Sequence, residues 1–437
     1  MKEIINKDGT KIFEKEAVKK DFSYFTSFLQ NGYNFADVSP NRPEGFFAED
    51  ALTVLAVNSG SLADFENNLS AFVPYRAISA YLRVKDATYP TFLKLVWTAS
   101  TKGQEKQLNE TTALIKKTGF IKWLGKARSF YKSDYPENLP LKVGLVPIPD
   151  YSVKKKHTSA LNLRDVQVVP YLLSKGLRDS LDVVFHEFCH ALYEGQSSST
   201  MKLIDKLYLG NKSSHSLFVY RYINEALATA WGNGWYKEIL DGKLSQKSWY
   251  AVGYIDDLAK AYLPLIKQYV SKKRSIDSDF VQKTIEIAKE KFPNADREIH
   301  QNFMAIRVLV DHKTLSSKTA KKYLRKAFRI QSVKTYSPFS EPDLNGSFSR
   351  NYKNTIFITA TPQNALKLVS KKVTINTTQK KIIASGSFLG VLPVNGNYVF
   401  WINAKNENEF RQLTDKLAKK ILLPKTPTFE SINEAHL

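Results

Sequence analysis

Residues 183 to 193 read Val183-Val184-Phe185-His186-Glu187-Phe188-Cys189-His190-Ala191-Leu192-Tyr193, and the spacing of the two histidines governs how the chain is interpreted. Four residues advance a helix by a little more than one turn, so His186 and His190 project from one face and can direct a ring nitrogen at the same ion. Glu187 stands beside them. It is too badly angled to join that coordination sphere easily, but it can reach a water bound to the ion. Ser180 as N-cap, Asp182 in the first turn and Gly195 after the last turn bound a helix over 181–194. Its apolar residues surround most of the circumference, which predicts burial. A chance H-E-x-x-H match arises in about one sequence in a hundred of this length and composition. Two histidines and a glutamate in a buried helix need partners, and a metal supplies them.

The composition agrees with a histidine and carboxylate site. The 437 residues include one cysteine and 7 histidines, which excludes internal disulfides, zinc ribbons and iron–sulfur clusters. The length predicts two or three domains. Upstream of the motif, residues 10–135 read as helix, with apolar spacing at Ala71, Tyr75, Ile78 and Leu82 and again at Leu108, Leu114, Ile121 and Leu124. Three short strands follow, over 141–145, 160–163 and 166–171, the last two pairing as a hairpin through Arg164-Asp165. Downstream, helical patterns run from about 216 to 330 with a turn at Asp241-Gly242. From about Tyr336 the composition shifts to β-type runs at 355–360, 373–376, 381–385 and 398–403, followed by a helix over 407–422. The expected division is a helical region 1–138, a catalytic domain 139–336 and a basic α+β domain 337–437.

A tetrahedral catalytic site needs a third protein ligand and one open position. Glu225 is the best candidate, in Tyr222-Ile223-Asn224-Glu225-Ala226-Leu227-Ala228-Thr229, with His215 and Glu194 as alternatives. With Asn224-Glu225-Ala226-Leu227-Ala228 the chain resembles the gluzincin metallopeptidases, in which a glutamate on a later helix completes H-E-x-x-H. The segment from His186 to Tyr193 is also similar to the helical oligopeptidases and carboxypeptidases of that superfamily. The resemblance implies an α+β, mostly helical chain with a zincin-like core: a small sheet, the motif helix and a second helix bearing the third ligand. It also implies Zn2+ held by His186, His190 and Glu225, and peptide-bond hydrolysis with Glu187 as general base. Many gluzincins carry an aspartate four residues after the glutamate ligand to orient a histidine; this chain has Thr229. A backbone carbonyl, another acid or Thr229 must then do so. For the oxyanion donor the candidates are Tyr250, Tyr254 and Tyr262, with Tyr254 preferred because Gly253 would permit close approach. Arg221 is expected to support Glu225, and Cys189 to be a small buried apolar group. The strand around 159–163 resembles in position the sheet edge along which gluzincins align an extended peptide, and Lys154, Lys155, Lys156 and His157 precede it.

The formal charge is +22, and residues 311–437 hold 21 Lys+Arg against 8 Asp+Glu, a net of +13. No acid occurs between Asp343 and Glu407, while Lys371, Lys372, Lys380 and Lys381 lie there. A solvated lysine-rich surface is the first reading and an anionic polymer or membrane surface the second. Nucleic acid comes last because no helix-turn-helix, zinc-finger or RNP pattern accompanies the charge. No run approaches the roughly 18 apolar residues of a membrane span, and the N-terminus lacks an apolar h-region. The expectation is a soluble chain, cytoplasmic or exported with its signal already removed. The alternative function is a non-catalytic zincin-fold binding protein acting through the basic domain on an anionic partner, a reading that an intact Glu187 disfavours.

Overall fold

Amphipathic spacing upstream of the motif becomes a series of helices: Glu16–Asn31, Ala48–Asn58, Leu62–Leu69, Tyr75–Phe92, Gln104–Thr118 and Phe120–Tyr131. The structure, a computed structural model, describes residues 16–31, 34–35, 46–101, 104–138, 140–148, 160–163, 166–172, 178–311, 315–328, 330, 332–337, 341–348, 354–359 and 362–432. Lys154 to His157, Ser159 and the Arg164-Asp165 turn lie outside these residues. The chain is mostly helical with mixed sheets, an α+β protein. Among the described residues no helix is long and apolar enough to cross a membrane.

Two units divide the chain, one comprising Met1–Met201 with Asn224–Ile276, the other Lys202–Ile223 with Asp277–Leu437. In the first, the three expected strands form one sheet: β1 (Lys142–Ile148), β2 (Leu161–Leu163) and β3 (Val166–Leu172), in the order β1-β3-β2. β2 and β3 are antiparallel, with Leu163 opposite Val166, whereas β1 runs parallel to β3. β2 is therefore an edge. The motif helix, Leu181–Glu194, packs against it.

The second unit contains a six-stranded sheet of β4 (Ala305–Asp311), β5 (Ser332–Tyr336), β6 (Asn354–Thr359), β7 (Phe388–Val394), β8 (Asn397–Asn403) and β9 (Thr428–Ser431). The spatial order is β9-β7-β8-β6-β4-β5, with β5, β4, β6 and β8 mutually parallel and β7 antiparallel to both β8 and β9. Alternate residues serve two cores. Ile306, Val308, Ile356, Ile358, Phe400 and Ile402 pack under the helices Ser317–Ala327 and Glu407–Ala418, while Leu309, Phe357, Val399 and Trp401 pack under Gln363–Val369 and Thr377–Ala384. A sheet covered on both faces produces near-continuous apolar strands instead of alternation. Phe388-Leu389-Gly390-Val391-Leu392 is such a strand, with no alternation in its sequence to mark it.

Three expectations change here. Strands β4 and β5 precede residue 337 yet belong with β6 beyond it, so the composition shift near Tyr336 falls inside a sheet instead of between domains. The run at 373–376 is not a strand: Val373 and Ile375 are buried, and Asn376 caps the following helix in a reciprocal capping box with Gln379. The run at 381–385 lies largely within that helix.

Phe400 lies at the centre of the sheet, fully buried, its ring centroid 4.7 Å from that of Phe303. Phe400→Ala should cost about 3–5 kcal/mol, read from the shift in urea midpoint at unchanged m-value.

Candidate metal centre

The motif helix shows its functional groups on one side and a layer of aromatic rings on another. Phe185 stacks on Tyr236 with centroids 4.6 Å apart and planes at 12°, and meets Phe120 edge-on at 5.3 Å. Phe120 also meets Phe188 and Tyr236 edge-on, and Tyr236 OH lies 2.8 Å from Thr118 Oγ1. These contacts fix the rotation of the helix about its axis. His186 and Glu187 are buried and His190 nearly so.

Both helix boundaries are where the sequence places them, for different reasons. Ser180 occupies the N-cap position without a side-chain cap bond. Gly195 ends the helix at an ordinary φ of −77°. A Cβ there would stand 2.8 Å from Ser133 Oγ and 3.2 Å from Tyr135 Cβ, so this glycine supplies space, not a left-handed turn.

Glu225 lies on the helix Ser216–Thr229, which continues through a π-helical stretch, Ala230–Tyr236, into Lys237–Asp241 and stops at Gly242 with φ +74°. The π-helical stretch lies against the motif helix. A Cβ on Gly232 would stand 2.6 Å from His186 N and 2.7 Å from Asp182 O, both backbone atoms of that helix. Only glycine allows this approach. Asn233 Nδ2 then donates to Asp182 Oδ2 at 3.3 Å. Burial raises the Asp182 pKa, against the opposing influence of Lys237 and the Asn233 amide.

This contact brings the candidate donors together. His186 Nε2 is 3.1 Å from Glu225 Oε1, His190 Nε2 is 3.4 Å from Glu225 Oε2, and the two Nε2 atoms are 3.0 Å apart. Among the described residues this is the group of three or more histidine, cysteine and acidic side chains whose donors converge within 4.8 Å. His215 is engaged elsewhere, its Nε2 2.9 Å from Phe292 O. Burial opposes charge on His190, but Glu225 and then Glu187 outweigh it and raise the pKa to about 10. Burial likewise opposes charge on Glu225, yet His190 and His186 hold its pKa well below the usual carboxylate range. Burial lowers the pKa of Arg221, one turn before Glu225, to about 10. Cys189 is fully buried, and burial raises its thiol pKa well above the ordinary value, in keeping with an apolar role.

The residues around the donors differ from expectation in two places. His190 Nδ1 lies 3.0 Å from Asn224 Oδ1, so the residue before Glu225 orients that histidine. His186 Nδ1 and Thr229 Oγ1 are both buried without a hydrogen-bond partner, so Thr229 does not hold His186. The aromatic ring beside the donors belongs to Tyr250, parallel to His186 within 12° at a centroid distance of 6.2 Å. No heavy atom would meet a Cβ on Gly253, the residue before Tyr254, within 4 Å. Tyr254 lies in the first turn of the helix Gly253–Ser271, and Tyr262 is fully buried in the same helix.

Asp256 positions Tyr250. Its Oδ1 accepts the backbone N–H groups of Trp249 at 2.5 Å and Tyr250 at 3.2 Å, and Lys260 Nζ donates to its Oδ2 at 2.7 Å. Burial works against its charge, but Lys260 and the two N–H groups prevail and lower its pKa. No sequence motif announces this acid.

Comparison of the chain with protein-family models, with curated proteins and with solved structures gives no match. The resemblance to gluzincins therefore rests on the motif residues alone.

Gly232→Ala forces a methyl group onto backbone that cannot rotate away. It should cost about 1–3 kcal/mol, measured by thermal melting. Asp256→Ala should loosen the Trp249-Tyr250 segment, read as faster amide exchange at those two residues.

Proposed function

We propose that the chain is a zinc-dependent peptide hydrolase of gluzincin type, with a zincin-like core formed by β1 to β3, the motif helix and the helix carrying Glu225. The observation that carries this reading is the convergence of His186, His190 and Glu225 with Glu187 beside them.

Two features favour a dication at this position. A tetrahedral ion with ligands at about 2.0–2.1 Å needs donors about 3.3 Å apart, and the observed separations run from 3.0 to 3.4 Å. The charges also fit: with both histidines neutral, Glu187 and Glu225 leave two negative charges in a largely buried site, which a dication balances. This donor set suits zinc. Zinc bound there supplies Lewis acidity toward a substrate carbonyl and lowers the pKa of a water towards about 7.

The chain's own groups do the rest. Glu187, buried next to the first histidine, takes the proton of the attacking water and returns a proton to the leaving amine. Asn224 fixes the ring of His190. Tyr250, held by Asp256, offers a hydroxyl to the developing oxyanion in place of Tyr254. The edge of β2 that pairs with no described strand offers backbone groups for an extended peptide to add as a further strand.

The test is zinc stoichiometry together with hydrolysis of a peptide library. The intact chain should bind one zinc and cleave; Glu187→Gln should retain zinc and lose about 10²- to 10⁴-fold in rate; His190→Ala should lose both. Stoichiometric zinc with no cleavage of any peptide or protein would instead support a non-catalytic binding protein.

A further inference from the structure

The sequence places the excess charge of the C-terminal third between residues 344 and 406. The structure shows its densest exposed part earlier, on the helix Ser317–Ala327. That helix reads Ser317-Lys318-Thr319-Ala320-Lys321-Lys322-Tyr323-Leu324-Arg325-Lys326-Ala327, with five cations and no acid. Lys318, Lys322, Arg325 and Lys326 are exposed, while Ala320 and Leu324 are buried against the sheet. Like charges four apart, as in Lys318/Lys322 and Lys322/Lys326, destabilise a helix. None of the five forms an ion pair with a described residue. Elsewhere the chain does pair such lysines: Lys237 with Asp241, Lys260 with Asp256 and Lys283 with Asp279, each at a spacing of four. The neighbouring helix Glu407–Ala418 carries Glu407, Glu409 and Asp415 among its cations, and this one carries no acid.

A second feature of the same helical layer is independent of charge. After the helix Glu407–Ala418 the chain reads Lys419-Lys420-Ile421-Leu422-Leu423-Pro424-Lys425. Leu423 is fully buried in the core that also holds Leu324, but Ile421 is 80% exposed and Leu422 38% exposed. These two are not on a loose tail. Ile299 N donates to Ile421 O at 3.2 Å, Leu423 N to Arg297 O at 2.8 Å, and Arg297 Nε to Leu423 O at 2.9 Å. The segment is held on both sides of Leu422 while presenting apolar side chains to solvent, with Lys419 and Lys425 exposed at its ends.

We propose that this helical layer of the second unit is a docking surface for anionic phospholipid bilayers, with Lys318, Lys322, Arg325 and Lys326 at the headgroups and Ile421 and Leu422 entering the interface. Charge alone would serve a nucleic acid equally well. The fixed, lysine-flanked Ile421 and Leu422 distinguish the two, because a polyanion in water gives them nothing to enter, whereas a bilayer does. The cations are mostly lysine, a point charge suited to a diffuse anionic surface, and not the arginine fork that phosphodiester recognition favours. Peripheral attachment of this kind requires no spanning helix. It is also independent of whether the first unit hydrolyses peptides.

The test is co-sedimentation of the full chain with vesicles of phosphatidylcholine alone and of phosphatidylcholine with phosphatidylglycerol. The intact chain should bind only the anionic vesicles, and less so as salt rises. Lys318→Gln with Lys322→Gln and Lys326→Gln should weaken binding about a hundredfold, at roughly fivefold per cation, and Ile421→Ser about tenfold. Circular dichroism should show unchanged folding in both variants, since every substituted side chain is exposed. Failure of the intact chain to bind anionic vesicles, or binding that neither variant weakens, would overturn the proposal. So would tight binding to RNA or DNA that the lysine variant loses and Ile421→Ser leaves intact, which would make this a polyanion site.

Discussion

Two helices can bring polar groups together only as closely as their backbones allow, and the candidate site depends on one such approach. Gly232 lies against the backbone of the motif helix at Asp182 and His186 with no room for a methyl group. That approach places the helix bearing Glu225 where its carboxylate meets both histidine rings. The π-helical geometry of Ala230–Tyr236 accompanies it, as often happens where a helix must accommodate a functional neighbour. On another side of the motif helix, Phe185, Phe120 and Tyr236 prevent it from rolling away from the contact. The site is thus held from two sides by packing, and the polar groups between them need contribute little to stability.

The site carries more negative charge than its own histidines can balance while neutral. Glu225 draws the pKa of His190 upward against burial, and the two histidines draw that of Glu225 downward. A cation would satisfy both tendencies. Asn224 orients one histidine and leaves the other to packing, which makes the two rings unequal supports: His190 is fixed by a hydrogen bond, His186 by its neighbours and by the parallel ring of Tyr250.

Much of this was legible in the sequence because the periodicities were local. H-E-x-x-H, its helix boundaries and the three strands before it all depend on spacings of a few residues, and the structure has them where the spacing puts them. Glu225 was legible only through its resemblance to a known pattern, since nothing local says that residues 35 apart in sequence will meet. Gly232 and Gly234 in the Trp231–Trp235 stretch were a signal that could have been used: glycines inside a helical pattern often mark close approach. Asp256 left no such trace, because its role is to bind backbone N–H groups that any sequence provides. The second unit was least legible. Its strands are buried on both faces and so do not alternate, and a boundary drawn by composition cut a sheet whose first strand, Ala305–Asp311, has none of the Asn/Thr/Ser bias used to define the domain.

The discontinuity of the two units bears on how the chain is made. Residues 202–223 belong with partners that begin at Asp277, yet they are synthesised between the two histidines and the glutamate of the site. On a ribosome, His186, His190 and Glu225 can all be present and folded by the time Ile276 emerges. The first turn of the helix that carries Glu225, with Leu217, Phe218, Val219 and Tyr220 destined for full burial, must wait for partners made after Ile276. Nascent chains of this protein therefore carry an apolar helical segment without its core until partners such as Phe292 and Gln301 have been made, an interval in which chaperones have a defined segment to hold.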